Sequence, residues 1–386
     1  MSPPKVSVIL TSFNHEKYIR EAIDSVLNQT FTDFELIVWD DASNDTSWEI
    51  ICSYDDNRIK AYRNNQNMGG GNVNRALEVV SGEYVAIHHS DDIWELDKLE
   101  KQVTYLNDHT EIGAVFTWAQ VINEYGAKLD EAWFDQENKT RWQWLNSLFN
   151  EKNTLNHPSI LIRRKCYQNV GCYRSYLRQT PDAEMWSRLL IKFPIHIIQK
   201  KLTLHRLLSD HSNTSGQRLD TAIRASNEWN VLRKNFLLLS QFEDIVAVFP
   251  GLERFRNHAG FDNQFLLAMA CLYECKQKSA WQLGLDWLFE LLSDNTRAEK
   301  IKFLYAFSYI DFIKLTAQFD IFSIEIDNSI DEQAKTIDEQ VKTIDEQVKV
   351  INEHAKTIEE IHNSRSWRIT KPLRITMKYI KNKVNK

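Results

Sequence analysis

Along the first hundred residues the apolar positions alternate between near-continuous runs, as in a buried strand, and three- or four-residue spacing, as in an amphipathic helix. Val6 to Leu10 is a short β-branched run, and Tyr18, Ile19, Ala22, Ile23, Val26 and Leu27 follow at helical spacing within Glu16 to Gln29. Phe34 to Trp39 predicts a second strand, with Ser43 placed to cap a helix through Ile51. The alternation continues through Ile59 to Tyr62, a glycine loop at Gly69, Gly70 and Gly71, a helix to Val80, and a strand from Tyr84 to His89. Four such βα units predict an open, largely parallel sheet with helices on both faces.

Beyond His89 the pattern predicts a helix from Trp94 to Asn107, with Asp92 as its cap, and strands at Gly113 to Trp118 and Ser159 to Ile162. A helix from Glu184 to Lys192 is opened by Thr180-Pro181-Asp182, and Ile195 to Leu208 reads as one or two strands. From about Arg218 to Phe322, Leu, Phe and Trp recur at helical spacing with few glycines and one proline, which predicts an all-helical accessory region. Then Ile330, Ile337, Ile344, Ile351 and Ile358 recur every seven residues, with Ala334, Val341, Val348 and Ala355 completing a second seam position. Asp331, Asp338 and Asp345 stand four residues ahead of Lys335, Lys342 and Lys349, so the helix supports itself along one side while the seam calls for partner helices. The expected organisation is an α/β domain over 1–215, a helical domain over 216–326, a coiled coil over 327–362 and a basic amphipathic tail over 363–386.

Charge sharpens the picture. The chain of 386 residues has a formal net charge of -6, yet eight Lys or Arg and no acid fall between Arg365 and Lys386. The acidic remainder excludes a uniformly basic nucleic-acid binder, so no nucleic-acid partner is expected. In the tail, Trp367, Leu373, Ile375, Met377, Tyr379 and Ile380 are interleaved with the cations, a composition suited either to an anionic membrane surface or to a solvated tail. Cys52, Cys166, Cys172, Cys271 and Cys275 form no CxxC pair, and Met1 to Lys5 lacks the apolar core of a signal peptide. A cytoplasmic location, with peripheral contact on the inner face of the cytoplasmic membrane, is the expectation.

In a parallel α/β sheet ligands bind beyond the carboxyl ends of the strands. Three such ends carry chemistry here: Thr11-Ser12-Phe13-Asn14, Asp40-Asp41, and His89-Ser90-Asp91-Asp92. Adjacent acids repel by roughly 1 to 4 kcal/mol at surface-like dielectric, so a shared divalent cation is the first expectation. The glycine loop leading into Asn74-Arg75 adds an arginine suited to phosphate.

The ordered series Val6 to Asn14, Asp40 to Asp45, Asn67 to Arg75, and Ser90-Asp91-Asp92 with Trp94 and Lys98-Leu99 resembles glycosyltransferase family 2, over roughly residues 5 to 215. The resemblance implies a GT-A fold, Rossmann-like with a mostly parallel sheet, a nucleotide-sugar donor, inversion at the anomeric carbon and a Mn²⁺ or Mg²⁺ ion. By position, Thr11, Phe13 and Asn14 would line the nucleoside pocket, Asp41 would accept a hydrogen bond from the base, and Arg75, His89 and Ser90 would also face the donor. Asp91 matches the second acid of the family's DxD signature and would ligate the metal. His89 stands in place of the first acid and either joins the metal shell or, as preferred, hydrogen-bonds the ribose. Thr180 to Trp186 resembles the segment that carries the family's catalytic base, which makes Asp182 the base and Glu184 the later acid. The segment Arg206 to Ser215, flanked by His205 and His211, resembles a closing loop in which His211 would contact diphosphate or metal. His157, before Pro158, would line the acceptor side. The tail from Ser364 to Arg374 resembles a segment of glycosyltransferases from bacterial surface-polysaccharide clusters, with a glycan or lipid-linked acceptor implied and a homo-oligomer expected through the coiled coil.

Two rival functions remain. A sugar-nucleotide nucleotidyltransferase needs a glycine-rich loop after the first strand, and Thr11 to Tyr18 has no glycine. A non-catalytic nucleotide-sugar-binding scaffold would have lost activity through His89.

Overall fold

The computed structural model describes residues 3–209, 216 and 218–384. Strands β1 (Val6–Ser12), β2 (Phe34–Asp40), β3 (Ile59–Arg63) and β4 (Tyr84–His89) alternate with helices α1 (Ile19–Leu27), α2 (Ser47–Cys52) and α3 (Asn72–Val79). They form the parallel half of an eight-stranded sheet. The sheet continues with β5 (Ile93–Trp94), α4 (Lys98–Asp108), β6 (Ala114–Asn123), α5 (Arg141–Phe149), β7 (Leu161–Arg163), α6 (Arg164–Val170), α7 (Pro181–Lys192) and β8 (Ile195–Leu207). Strand order is β3-β2-β1-β4-β7-β6-β8-β5.

The apolar run of β1 is buried on both sides because helices cover both faces of the sheet. Val6, Val8 and Leu10 pack with Ile19, Ile23 and Val26 of α1 and with Leu99, Val103 and Leu106 of α4. Each such side chain, fully buried, contributes about 1.5 to 3 kcal/mol. β1 pairs on one side with β2 and on the other with β4, in register, so that Thr11 lies opposite both Trp39 and His89. The chain order reverses at this pair of neighbours, which opens a crevice at the carboxyl ends of β1 and β4.

The far half of the sheet is mixed rather than parallel. β7 runs antiparallel to both β4 and β6, and β5 runs antiparallel to β8, while β6 and β8 are parallel with an irregularity around Trp118. Trp94 therefore starts no helix. Its backbone N–H donates to Ser25 Oγ (3.2 Å), its indole N–H to the Pro158 carbonyl (3.0 Å), and its ring lies 4.4 Å from that of buried His88. These tertiary bonds hold the segment extended, and α4 begins only at Lys98. Asp92, buried and bonded to β8, caps nothing. Ser43 likewise caps no helix: its hydroxyl donates to Asp40 and accepts from the Asn14 N–H, and α2 starts four residues later.

Past β8, the helices α8 (Leu219–Lys234), α9 (Phe242–Val248), α10 (Asn263–Tyr273), α11 (Lys278–Ser293), α12 (Asn295–Tyr305) and α13 (Tyr309–Gln318) bear out the helical reading. They belong to the same compact unit as the sheet, which runs from Met1 to Phe319. The aromatic contact of Phe149, at the end of α5, with Phe236 and Phe249 joins the two parts.

A second unit, Asp320–Lys386, contains α14 (Ile324–Asn363), α15 (Arg365–Ile369) and α16 (Lys371–Val384). Helix α14 is 40 residues long, about 60 Å at the helical rise. Ile337, Val341, Ile344, Val348, Ile351 and Ile358 are each between 46% and 62% exposed along it. The side chains of residues 324–334, Ile330 and Ala334 among them, lie outside the described residues.

His88 is fully buried, and burial depresses its imidazole from the ordinary 6.5 to about 3. The unfolded chain takes up that proton at higher pH than the folded one, so stability falls as pH drops from about 6.5 towards 3. Denaturant titrations across that window are expected to show the decline, with a shallower slope in His88→Gln.

Candidate active site

The turn after β4 concentrates the charge. Asp92 is 1% exposed, and its Oδ1 accepts the Arg206 backbone N–H at 2.8 Å with His205 Nδ1 3.3 Å away. Burial works against the Asp92 carboxylate, but His205, His89 and the Arg206 amide outweigh it and hold the acid down at about 2. Asp91 moves the other way, raised by burial and by the neighbouring Asp92 charge. His205 is itself opposed by burial, yet the two carboxylates lift its affinity for a proton above the ordinary imidazole value. The side chain of Arg206, 2% exposed, closes the turn: its guanidinium donates to the carbonyls of Asp91 (2.8 Å), Asn123 and Glu124, pairs with Glu21 (2.7 Å), and lies over the Tyr18 ring.

His89, Asp91 and Asp92 offer ligand atoms that all lie within 4.8 Å of one another. Asp92 Oδ2 is buried without a hydrogen-bond partner among the described residues, and His89 Nδ1 stands 3.7 Å from it. Two carboxylates, one with an orphaned oxygen, plus an imidazole fit a small divalent cation. The cluster brings Asp91, the metal ligand that the resemblance implies, together with His89 and with Asp92, which the sequence reads as a helix cap.

On the β1–β2 side, Phe13 is 38% exposed at the rim and Thr11 is half-buried behind it. Asn14 adopts a left-handed conformation (φ 54°), accepts the Asn44 N–H on its side chain and donates its own N–H to Ser43 Oγ. Asp41 is buried, and its Oδ1 accepts from Asn64 Nδ2 (2.7 Å) and the Met68 N–H (3.0 Å). Asn64 Oδ1 in turn accepts from Arg75 (2.6 Å) and from the Trp39 indole (2.9 Å). Asn64 is therefore the joint between Asp41 and Arg75, a role with no signal in its neighbours in sequence. Asp40 faces inward, where it accepts from Ser43 and pairs with Arg63 (3.3 Å). Ser90 Oγ shares a 2.7 Å hydrogen bond with His15 Nδ1, which ties the β4 turn to the start of α1. Gly71, at φ 82°, starts α3 where a Cβ would meet Ser175 Oγ at 3.1 Å, so the glycine loop lies against the segment after Cys172.

Asp182 is the second residue of α7, and its Oδ2 accepts from Asn153 Nδ2 at 2.8 Å. Burial raises its proton affinity; the Ala183 N–H, Asn153 and the nearby charge of His89 only partly offset this. His89 belongs to the acidic turn itself, three residues ahead of Asp92. It also shares a 3.3 Å hydrogen bond with His157, whose other nitrogen meets Tyr173 Oη at 3.0 Å. Burial, with His89 beside it, keeps the His157 ring neutral well below the ordinary range. Glu184 is fully buried between Arg174 (2.6 Å) and Arg188 (2.7 Å), which makes it a structural acid. His211 lies outside the described residues.

Residues 7–177 match the family Glycosyl transferase family 2. An uncharacterized glycosyltransferase of Methanocaldococcus jannaschii is 33% identical over 213 residues, 54% of this chain and 72% of its own. TuaG of Bacillus subtilis, a glycosyltransferase named for teichuronic acid biosynthesis, is 30% identical over 245 residues, 62% of this chain and 89% of its own. Residues 1–349 of TarS from S. aureus, solved with UDP-GlcNAc, share the fold at a TM-score of 0.53 and 19% identity, covering 74% of this chain and 80% of that one.

Removing the Arg206 guanidinium strands the carbonyls of Asp91, Asn123 and Glu124, while Glu21, 58% exposed, stays in water. Arg206→Ala is expected to lower stability by about 1 to 3 kcal/mol in urea denaturation. Arg206→Lys should recover only part of that loss, because one ammonium cannot reproduce the planar fork of donors.

Proposed function

The chain is a member of glycosyl transferase family 2, and on that premise we propose that it transfers a sugar, with inversion, from a nucleotide-sugar donor to a hydroxyl of a surface-polysaccharide glycan or lipid-linked acceptor. The observation that carries the reading is the cluster of His89, Asp91 and Asp92 at and just beyond the carboxyl end of β4, inside the family-matched segment. Thr11, Phe13, Asn14 and Asp41 would hold the nucleoside, with Arg75, Ser90 and His89 on the phosphate and ribose side. Asp91 and Asp92, joined by His89, would hold Mn²⁺ or Mg²⁺. A bound cation there offsets the negative charge of the departing nucleoside diphosphate.

Asp182 is the proposed base. Its carboxylate takes the proton of the acceptor hydroxyl as that oxygen bonds to the anomeric carbon, and the bond from that carbon to the diphosphate breaks with its electron pair leaving on the diphosphate. A carboxyl whose proton affinity is raised by burial is a stronger base than a solvated one. The same shift sets the pH dependence: activity is lost as pH falls through the raised Asp182 value, above the usual 3.8.

The second unit supports assembly. The exposed Ile and Val stripe of α14 fits a seam with copies of the same helix, the Ile positions alternating with Val or Ala. Exposed Ile369, Leu373, Ile375 and Met377 stand among Arg365, Arg368, Arg374 and Lys378, a composition that fits the anionic inner face of the cytoplasmic membrane. The side chains of Tyr379 and Ile380 lie outside the described residues, and no helix among the described residues is long and apolar enough to span a bilayer.

A panel of UDP-glucose, UDP-galactose, UDP-N-acetylglucosamine, GDP-mannose and dTDP-rhamnose, scored by release of nucleoside diphosphate, tests transfer. Asp182→Asn is expected to lower the rate by at least about 10²-fold while calorimetric binding of the nucleoside diphosphate with Mn²⁺ stays intact; wild-type turnover in that variant would remove Asp182 as the base. Asp91→Ala should instead lose the Mn²⁺-dependent part of nucleotide binding. Deleting residues 330–361 should leave a monomer in sedimentation velocity, and an unchanged mass would rule out assembly through α14.

A further inference from the structure

Helix α8 follows the family-matched segment, yet two of its side chains bond to segments next to Asp182, residues 178–180 just ahead of it and the turn before its hydrogen-bond partner Asn153. Glu228, 7% exposed, accepts three successive backbone N–H groups just ahead of α7: Arg178 on Oε1 (2.8 Å), and Gln179 (2.7 Å) and Thr180 (2.8 Å) on Oε2. The Thr180 hydroxyl donates to Oε2 as well, at 3.2 Å. Thr180 occupies the N-cap position of α7 but makes no side-chain cap bond there, so the approach to the helix is held from outside, by Glu228.

The second reach is through Arg233, fully buried five residues further along α8. Its Nε donates to the Phe149 carbonyl (3.2 Å) and its Nη2 to Glu151 Oε1 (2.6 Å). Glu151 is a non-glycine residue at φ 61°, a left-handed conformation that persists only where its surroundings hold it. The Arg233 pair holds that turn in place, two residues before Asn153, whose amide donates to Asp182. Just past α8, Asn235 donates to Glu184 Oε1 (3.0 Å) and Ser187 Oγ (2.9 Å) on α7 itself.

We propose that α8 is the positioning element for Asp182, with Glu228 and Arg233 as positioning residues that fix, respectively, the start of α7 and the turn carrying Asn153. The proposal rests on the reading of Asp182 as the base. It gives the helical region a task in the reaction, since a misplacement of about 1 Å at a reacting group can cost about 10²-fold in rate. The expected donor contacts lie at and just past the ends of β1, β2 and β4 and at Arg75 of α3, and none of them bonds to Glu228 or Arg233, so donor affinity should be unaffected.

The test uses the full chain carrying Glu228→Gln, which replaces one acceptor oxygen by a donor at nearly the same volume, and Arg233→Met as an independent second variant. Amide hydrogen exchange read by mass spectrometry should quicken about tenfold or more across residues 178–180 in Glu228→Gln and around residues 150–154 in Arg233→Met. With the panel's fastest nucleotide sugar, kcat should fall about tenfold or more in each variant while the donor KM and the affinity for UDP with Mn²⁺ stay within about twofold. Unchanged exchange, or altered exchange with unchanged kcat, would overturn the proposal, as would equal losses in kcat and nucleotide affinity. A wild type that turns over no member of the panel would overturn the transfer reading instead, and the exchange measurement would still decide whether α8 holds these two segments.

Discussion

Asp92 is a carboxylate kept out of water at the end of a central strand, and much of the surrounding architecture follows from stabilising its charge. An isolated buried carboxylate is untenable and would take up a proton. Here β8 runs past the end of β4 and supplies the Arg206 amide and the His205 ring, while His89 approaches from the acid's own turn. The Arg206 side chain then secures the Asp91 carbonyl beside it. Burial, and then the charge of Asp92 beside it, raise the proton affinity of Asp91. A divalent cation placed there would relieve both acids together.

His89 connects this charge cluster with the rest of the site. It lies 3.7 Å from Asp92 and shares a hydrogen bond with His157, whose other nitrogen meets Tyr173. A second acid at this position would have put a third carboxylate in the turn and repelled Asp91 and Asp92. An imidazole contributes a ligand atom without that repulsion. The same economy appears on the nucleoside side, where Asn64, by both donating and accepting, lets Asp41 and Arg75 share one neutral joint.

How much of this was legible in the residues depended on the distance over which the determining contacts act. The strands and helices of the first hundred residues follow from local periodicity, and β1, β2, β3 and β4 formed close to the predicted positions, as did the helical region after Arg218. The family resemblance likewise rests on motifs contiguous in sequence and is borne out by the match over residues 7–177. The misreadings fall where a distant partner overrides a local preference. Trp94 looked like a helix start but is pinned by Ser25 and Pro158, and Ser43 and Asp92 looked like caps but bond to Asp40 and to β8.

The sequence alone therefore determined the parallel βα half of the sheet, the ends of its strands as the place where chemistry gathers, and the seven-residue stripe of α14, because each is a periodicity or short motif read over neighbouring residues. Tertiary structure decided which polar groups share a site. Asp92 and Arg206 are 114 residues apart in the chain, Thr180 and Glu228 are 48 apart, and only the crossing of β8 past β4 and the packing of α8 against α7 bring them within hydrogen-bond reach. Such pairings leave no local trace: a buried charge selects its partners by proximity in space, and no spacing rule along the chain encodes that.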